Sequence, residues 1–293
     1  MNEAKIRRSL LFIPGSSMKM LKKGPALPCD VIIVDLEDAV SPEAKDLARE
    51  QTISMLPELR GCGKEILIRI NGMDTIWGLD DMQAIVPCMP DGIVLPKAVR
   101  QSILIADGIL TVLERKFKLE IGSIALLPLL ESAEAILTGY EILGQSGRIN
   151  GVLLGAEDLT KELEAARTAE GEELTFARSQ MVFAAKARGI EAYDTPFTSI
   201  KDEEGLKQDT KKAKAFGFSG KLCIHPAQLE AVNQIFTPAE EEIAMAKGIV
   251  SAMVEADAAG KGACVYRGKM IDPPVVERAR KILKKAERIG VSC

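Results

Sequence analysis

One histidine stands in a chain of 293 residues, and aromatic side chains make up 4% of it. The first scarcity removes every metal centre built on several imidazoles. The second, with a formal net charge of -4, removes the basic, aromatic-lined face that a nucleic-acid binder presents. Cysteines 29, 62, 88, 223, 264 and 293 never fall into a C-x-x-C pair, so neither a zinc knuckle nor a thioredoxin-like motif is expected. Scattered thiols fit a reducing compartment. No run approaches 18 consecutive apolar residues, the minimum for a membrane-spanning helix. The apolar stretch at 10–13 is too short for a secretory signal and ends at Pro14-Gly15. The expectation is a cytoplasmic protein with no membrane and no nucleic-acid partner. Nucleotide motifs are missing too. No G-x-G-x-x-G opens a helix after a strand, and no G-x-S-x-G accompanies the histidine. The P-loop look-alike GFSGKL has Ala215 in place of its first glycine and Leu222 in place of Ser or Thr.

What is present is 47% apolar residues and eight short β-rich runs, at 9–13, 31–35, 65–70, 92–95, 123–130, 151–155, 190–194 and 220–224. They are near-continuously apolar rather than alternating, as parallel strands covered on both faces are. Their ends lie roughly 30 residues apart, the spacing of βα units. A (β/α)8 TIM barrel is the expected fold, with an open doubly wound sheet as the alternative. The domain expectation is a barrel over 1–236 and a C-terminal helical extension over 237–293, with glycines 260 and 262 as a hinge. Helix starts are legible at Ser41-Pro42-Glu43, at the capping box Thr237-Pro238-Ala239-Glu240, and at Asp272-Pro273-Pro274 before a last helix over 275–288. The charged stretch 161–173 reads as a solvated helix or loop over the barrel mouth.

Barrel enzymes draw their chemistry from the carboxyl ends of the strands. Those ends carry Asp35, Glu37 and Asp38, Arg69 and Asn71, Lys97, Glu131, Glu157 and Asp158, Asp194 and His225. Converging carboxylates repel one another, and a divalent cation relieves the repulsion. Mg2+ suits such a set, because it takes one or two carboxylates and keeps several waters. Each residue also has a structural reading. Asp158 caps a helix beginning at Leu159, Arg69 pairs with Asp35 or Asp38, and Asp272 caps the last helix. His225 makes a structural hydrogen bond, and Lys97 is a surface or ion-paired lysine. Glu131 precedes Ser132, a better cap, which frees the acid for another task. Lys97 is also placed where Schiff-base lysines sit.

The motifs RRSLLFIPG, VDLEDAVSPEAKDLAR, IRINGM, GIVLPK, LPLLES, GAEDL, FGFSGKLCIHPAQLEAVNQIFTP and GKMIDPP, in this order, resemble the citrate lyase β-subunit-like family of the HpcH/HpaI aldolase superfamily. That superfamily includes malyl-CoA and citramalyl-CoA lyases. The resemblance implies a barrel, Mg2+ dependence, a homotrimer or hexamer, and carbon–carbon cleavage of a hydroxyacyl thioester into acetyl-CoA and a 2-keto acid such as pyruvate, glyoxylate or oxaloacetate. It places the metal on Glu131 and Asp158, metal-bound waters on Glu37 and Asp38, and a substrate oxygen on Arg69. Asp272 matches a catalytic aspartate supplied by a neighbouring subunit. Lys19, Lys22 and Lys23, near the first βα loop, are candidate contacts for the phosphates of CoA. The segments after strands six and eight lean toward a lyase acting on free CoA thioesters. The alternatives are a citrate lyase β subunit working with partner subunits and an acyl-carrier protein, a non-catalytic barrel binding CoA or an organic acid, and a Schiff-base aldolase using Lys97.

Overall fold

The computed structural model describes residues 5–258 and 260–291. Cys293 lies outside them, as do the outermost ends of the two expected domains. Eight parallel strands close into a barrel in sequence order: β1 (Ser9–Pro14), β2 (Val31–Asp35), β3 (Glu65–Arg69), β4 (Gly92–Leu95), β5 (Ala125–Leu130), β6 (Gly151–Leu154), β7 (Glu191–Asp194) and β8 (Gly220–Cys223). β1 closes the ring on β8 with Leu10 opposite Leu222. All eight expected runs are strands, each within two residues of its expected ends.

Period-two alternation explains the near-continuous apolar pattern. Leu10, Val31, Ile33, Leu67, Leu127 and Leu153 belong to the packed barrel interior. The residues between them, among them Ile32, Ile66, Ile68 and Val152, are buried as well. Both faces of each strand are therefore covered, and β-branched and leucine side chains serve on either one. Below the barrel, Arg7 closes the amino end by donating from Nε and Nη2 to the Glu65 carboxylate at 2.6 and 2.8 Å, and from Nη2 to Asn150 Oδ1 at 3.0 Å.

Two helix starts differ from expectation. After Ser41 the chain makes one 3-10 turn, Pro42–Ala44, and the α-helix runs over Lys45–Arg60; the Ser41 hydroxyl gives no cap bond. The helix expected from Thr237 begins later, as Glu240–Ala258, and Glu242 rather than Glu240 accepts the Ala239 N–H, at 2.9 Å. Proline at the first turn fixes φ without selecting between the two helix types, so the boundary shifts by a turn.

The chain divides into two compact units, Arg7–Asn233 and the described part of Met1–Ile6 with Gln234–Cys293. The first unit is the barrel. The second holds the helices Glu240–Ala258 and Pro273–Ile289, and between them an antiparallel hairpin, β9 (Cys264–Tyr266) with β10 (Lys269–Ile271). Met253, Ile271 and Val276 form its core. Gly290 ends the last helix at φ +77, the left-handed cap that glycine adopts without strain. Among the described residues no helix is long and apolar enough to cross a membrane.

Candidate active site at the carboxyl ends of the strands

A cavity of about 420 Å³ opens at the carboxyl end of the barrel. Its polar wall comes from Asp35, Asp38, Arg69, Glu131, Glu157, Asp158 and Thr195; Phe12, Leu129, Leu154 and Leu222 form an apolar floor. Side chains from seven of the eight strands or the loops behind them therefore converge on one space.

Arg69, the last residue of β3, is fixed on two sides. Its Nε and Nη2 donate to the two oxygens of Asp35 at 2.7 and 2.5 Å, and its guanidinium stacks over the Phe12 ring at 4.8 Å. Nη1 lies 3.0 Å from Glu37 Oε2 and 3.4 Å from Asp38 Oδ2. The pairing with Asp35 and the position on the cavity wall coexist. Asp35 also accepts the N–H groups of Glu37 and Ala39, at 2.9 and 3.2 Å, which folds the loop after β2 over its own strand end. From beneath, the buried Lys45 donates to the Leu36 and Glu37 carbonyls, each at 2.8 Å, and Asn71 donates to Leu36 O at 2.9 Å. Asn71 is thus a loop anchor. Glu37 is buried while Asp38 is exposed.

Glu131 leaves β5 into the cavity, and Ser132 takes over the capping of the next helix, accepting the Ala135 N–H at 3.1 Å. Glu131 Oε1 accepts the backbone N–H of Lys97 at 2.5 Å. Behind the carboxylate stands Gly155: a Cβ there would lie 2.6 Å from both Glu131 Cβ and Oε2. Asp158 is the third residue of the helix Ala156–Glu162 rather than its cap, so its side chain is not spent on the helix end. Ala156 begins that helix, and its N–H is taken by Thr195 Oγ1 at 3.2 Å.

The electrostatics follow from this crowding. Burial pushes the Glu131 carboxyl up to about 7, the Lys97 N–H opposing the rise and the Asp158 charge adding to it. Burial pushes Glu37 up to about 8, against the pull of Arg69 and with the charges of Asp38, Glu131 and Asp35. Burial lowers Lys97, but Glu37, Asp158, Asp38 and Glu131 together outweigh it and hold its ammonium above the usual lysine range. Its Nζ stands 3.9 Å from Glu37 Oε1 on a side chain that is 57% exposed. A Schiff-base lysine needs the opposite shift.

Among the described residues no three histidine, cysteine, aspartate or glutamate side chains form a cage for a metal ion. Of the five carboxylates on the wall, Asp35, Asp38 and Glu157 lie against arginines, which leaves Glu131 and Asp158, in a cleft that raises the proton affinity of Glu131. That donor set fits a hard cation that retains most of its water, such as Mg2+, and not a transition metal needing nitrogen or sulfur.

Several expected residues have other work. Asp194, at the end of β7, is fully buried against Arg178 and Lys221 and does not line the cavity. His225 accepts the Ala227 N–H on Nδ1 at 3.2 Å and caps a 3-10 turn. Glu157 pairs with Arg167 at 2.9 Å, which ties the charged loop 163–171 to the helix carrying Asp158. Lys19, Lys22 and Lys23 are exposed on the helix Met18–Lys23. Asp272 belongs to the second unit, where its Oδ1 accepts the Val275 N–H at 3.2 Å as the cap of the last helix. Phe12, Lys45 and Thr195 went unnoticed in the sequence. Thr195 alone had a signal, as a polar residue between a strand end and Pro196.

Residues 8–226 match the family profile described as HpcH/HpaI aldolase/citrate lyase, and residues 174–291 match a profile described as C-C bond lyase of the TIM-barrel fold. A citrate lyase subunit beta from Leuconostoc mesenteroides subsp. cremoris is 37% identical over 287 residues, covering 98% of this chain and 95% of that one. A (3S)-malyl-CoA thioesterase from Cereibacter sphaeroides is 35% identical over 283 residues, covering 97% and 95%. Among solved structures, the protein CitE from Mycobacterium tuberculosis, in complex with magnesium, acetoacetate and coenzyme A, is 26% identical with a TM-score of 0.79, covering 97% of this chain and 100% of that one.

Proposed function

Because the chain belongs to the HpcH/HpaI aldolase/citrate lyase family, we propose that it is a cytoplasmic, Mg2+-dependent carbon–carbon lyase. It cleaves, or in reverse forms, a 3-hydroxyacyl-CoA such as citramalyl-CoA or malyl-CoA, giving acetyl-CoA and a 2-keto acid. The observation that carries the reading is the placement of Glu131 and Asp158 in one cavity with Arg69.

In the cleavage direction the 3-hydroxyl loses its proton and becomes the carbonyl of the keto acid. The C2–C3 bond breaks, its electron pair passes to the thioester as an enolate, and a proton at C2 completes the acetyl group. Glu131 and Asp158 hold the cation, which supplies a Lewis acid and a template for the keto-acid half. Arg69, rigid between Asp35 and Phe12, sets a fixed positive charge where oxyanion character develops. Glu37 and Asp38 order water around the site. Asp272, from a neighbouring copy in a trimer or hexamer, handles the proton at the acetyl carbon. Lys19, Lys22 and Lys23 contact the phosphates of CoA.

A second reading, a β subunit cleaving a citryl thioester carried by an acyl-carrier protein, is supported by the name of the 37% identical relative. One assay separates the two. The purified chain is given (S)-citramalyl-CoA and malyl-CoA with Mg2+, then with excess EDTA, and keto-acid release is followed. Chelator-sensitive turnover supports the free-CoA lyase. No turnover until acyl-carrier protein and partner subunits are added moves the assignment to the second reading.

A further inference from the structure

We infer that Thr195 is a substrate-binding residue, donating its hydroxyl hydrogen to a carboxylate oxygen of the keto-acid half of the thioester. This rests on the lyase reading above and adds a specific contact to it.

Thr195 follows β7 directly, is 1% exposed, and lines the cavity. Its Oγ1 already accepts the Ala156 N–H at 3.2 Å. A threonine hydroxyl accepts through its lone pairs and also donates one hydrogen. Among the described residues nothing takes that hydrogen within bonding distance, so the bond from Ala156 orients the hydroxyl while leaving its hydrogen unspent.

The rest of the wall makes the spare hydrogen informative. Asp35, Asp38, Glu131, Glu157 and Asp158 only accept when ionised. Arg69 gives Nε and Nη2 to Asp35, and Nη1 to Asp38. A keto acid is an anion that can only accept. Beyond the Nη hydrogens that Arg69 has not spent, the cavity that must hold it carries one neutral side-chain donor, and that donor is Thr195. The same hydroxyl fixes Ala156, two residues before Asp158, so the donor and a metal carboxylate keep a set spacing. A hydrogen bond from a buried neutral donor to a charged acceptor corresponds to roughly 10- to 100-fold in affinity.

The test uses the full chain as wild type, Thr195→Val, and Thr195→Ser, with Thr195→Ala replacing valine should that variant not fold. Pyruvate, glyoxylate and oxaloacetate are titrated by calorimetry at saturating Mg2+, and Mn2+ binding is followed separately by electron spin resonance. The expected result is a 10- to 100-fold loss of keto-acid affinity in Thr195→Val at saturating metal, with Thr195→Ser close to wild type. Equal keto-acid affinity in wild type and Thr195→Val overturns the inference. So does a loss that vanishes at saturating metal and tracks Mn2+ affinity, since Thr195 then acts only through Ala156. If wild type itself binds no keto acid at saturating Mg2+, the lyase reading falls and takes this inference with it.

Discussion

The backbone N–H of Lys97 donates to Glu131 Oε1 at 2.5 Å, a bond between residues 34 positions apart. Lys97 makes it at φ +47, a left-handed conformation that costs a non-glycine residue on the order of 1 kcal/mol. Strain of this kind persists where the surroundings over-determine it, and here a charged, buried acceptor does so. The bond uses only the backbone. Lys97→Gly keeps the N–H and removes the strain, so its melting temperature is expected to equal or slightly exceed that of wild type. The raised proton affinity of the ammonium also predicts no Schiff base. Wild type treated with pyruvate and borohydride should gain no mass on Lys97; an adduct there would reinstate the lysine aldolase.

Gly155 faces the same carboxylate from behind. A Cβ at this position would sit 2.6 Å from Glu131 Oε2, closer than side-chain atoms approach one another. Gly155→Ala must therefore push Glu131 off its bond to Lys97. The expected outcome is a folded protein whose Mg2+ or Mn2+ affinity falls by roughly 10-fold or more, the scale on which disturbed ligand positioning acts. Metal titration by calorimetry checks it, with circular dichroism to show that the fold survives.

Glu37 gives a pH prediction whose sign is fixed by its shift. Its carboxyl titrates at about 8 in the folded chain, against an ordinary value of 4.5. The folded state then holds a proton that the unfolded state has lost across that window, so stability falls as pH rises from 4.5 to 8 and levels off above it. Glu37→Gln removes this dependence. Without metal, the variant should melt higher than wild type at pH 8, by roughly 2–4 °C for each 1 kcal/mol gained. At pH 4.5 the two should be nearly equal. An equal difference at both pH values would show that packing, not charge, is responsible.

Asp272 caps the last helix, and the proposed mechanism gives it a second role that substitution can separate. Asparagine caps a helix about as well as aspartate, whereas alanine costs about 1 kcal/mol. Asp272→Asn should leave the melting temperature unchanged, and Asp272→Ala should lower it. Under the proposed mechanism both lose turnover by orders of magnitude, because neither side chain exchanges a proton. Full turnover in Asp272→Asn would reduce Asp272 to the cap seen in the structure.

Eight strands were legible because two-sided burial writes an apolar run that needs no partner to be recognised. The two carboxylates proposed to hold the metal were legible as cavity residues through position: Glu131 and Asp158 end strands or open helices in a fold whose strand ends meet. Side-chain commitments were legible only in part. The pairing of Arg69 with Asp35 or Asp38 was legible, but Asp194, equally placed at a strand end, was read as a rim residue and instead turns to the outer face. Parity decides it, since Tyr193 takes the interior position of β7. The lysine of the P-loop look-alike belongs to the same outer network, as Lys221 of β8.

That network supplies a stability prediction. Arg178 donates to both oxygens of Asp194 at 2.9 Å and to Asp209 Oδ1 at 2.7 Å, while Lys221 Nζ donates to Asp194 at 2.5 Å and to Asp209 at 2.6 Å. Two cations and two carboxylates balance, with Lys221, Arg178 and Asp194 fully buried. Lys221→Met leaves two carboxylates on one guanidinium. Breaking a buried pair by removing one partner costs roughly 3–5 kcal/mol, more than the pair contributed, because the orphaned charge has lost its water. Lys221→Met/Asp209→Leu removes one charge of each sign and keeps the two-point Arg178–Asp194 pair intact. The double variant is therefore expected to be more stable than Lys221→Met alone, a coupling that urea unfolding of both singles and the double measures directly. Additive losses would mean that these groups do not share charge balance, and that each is held by packing alone.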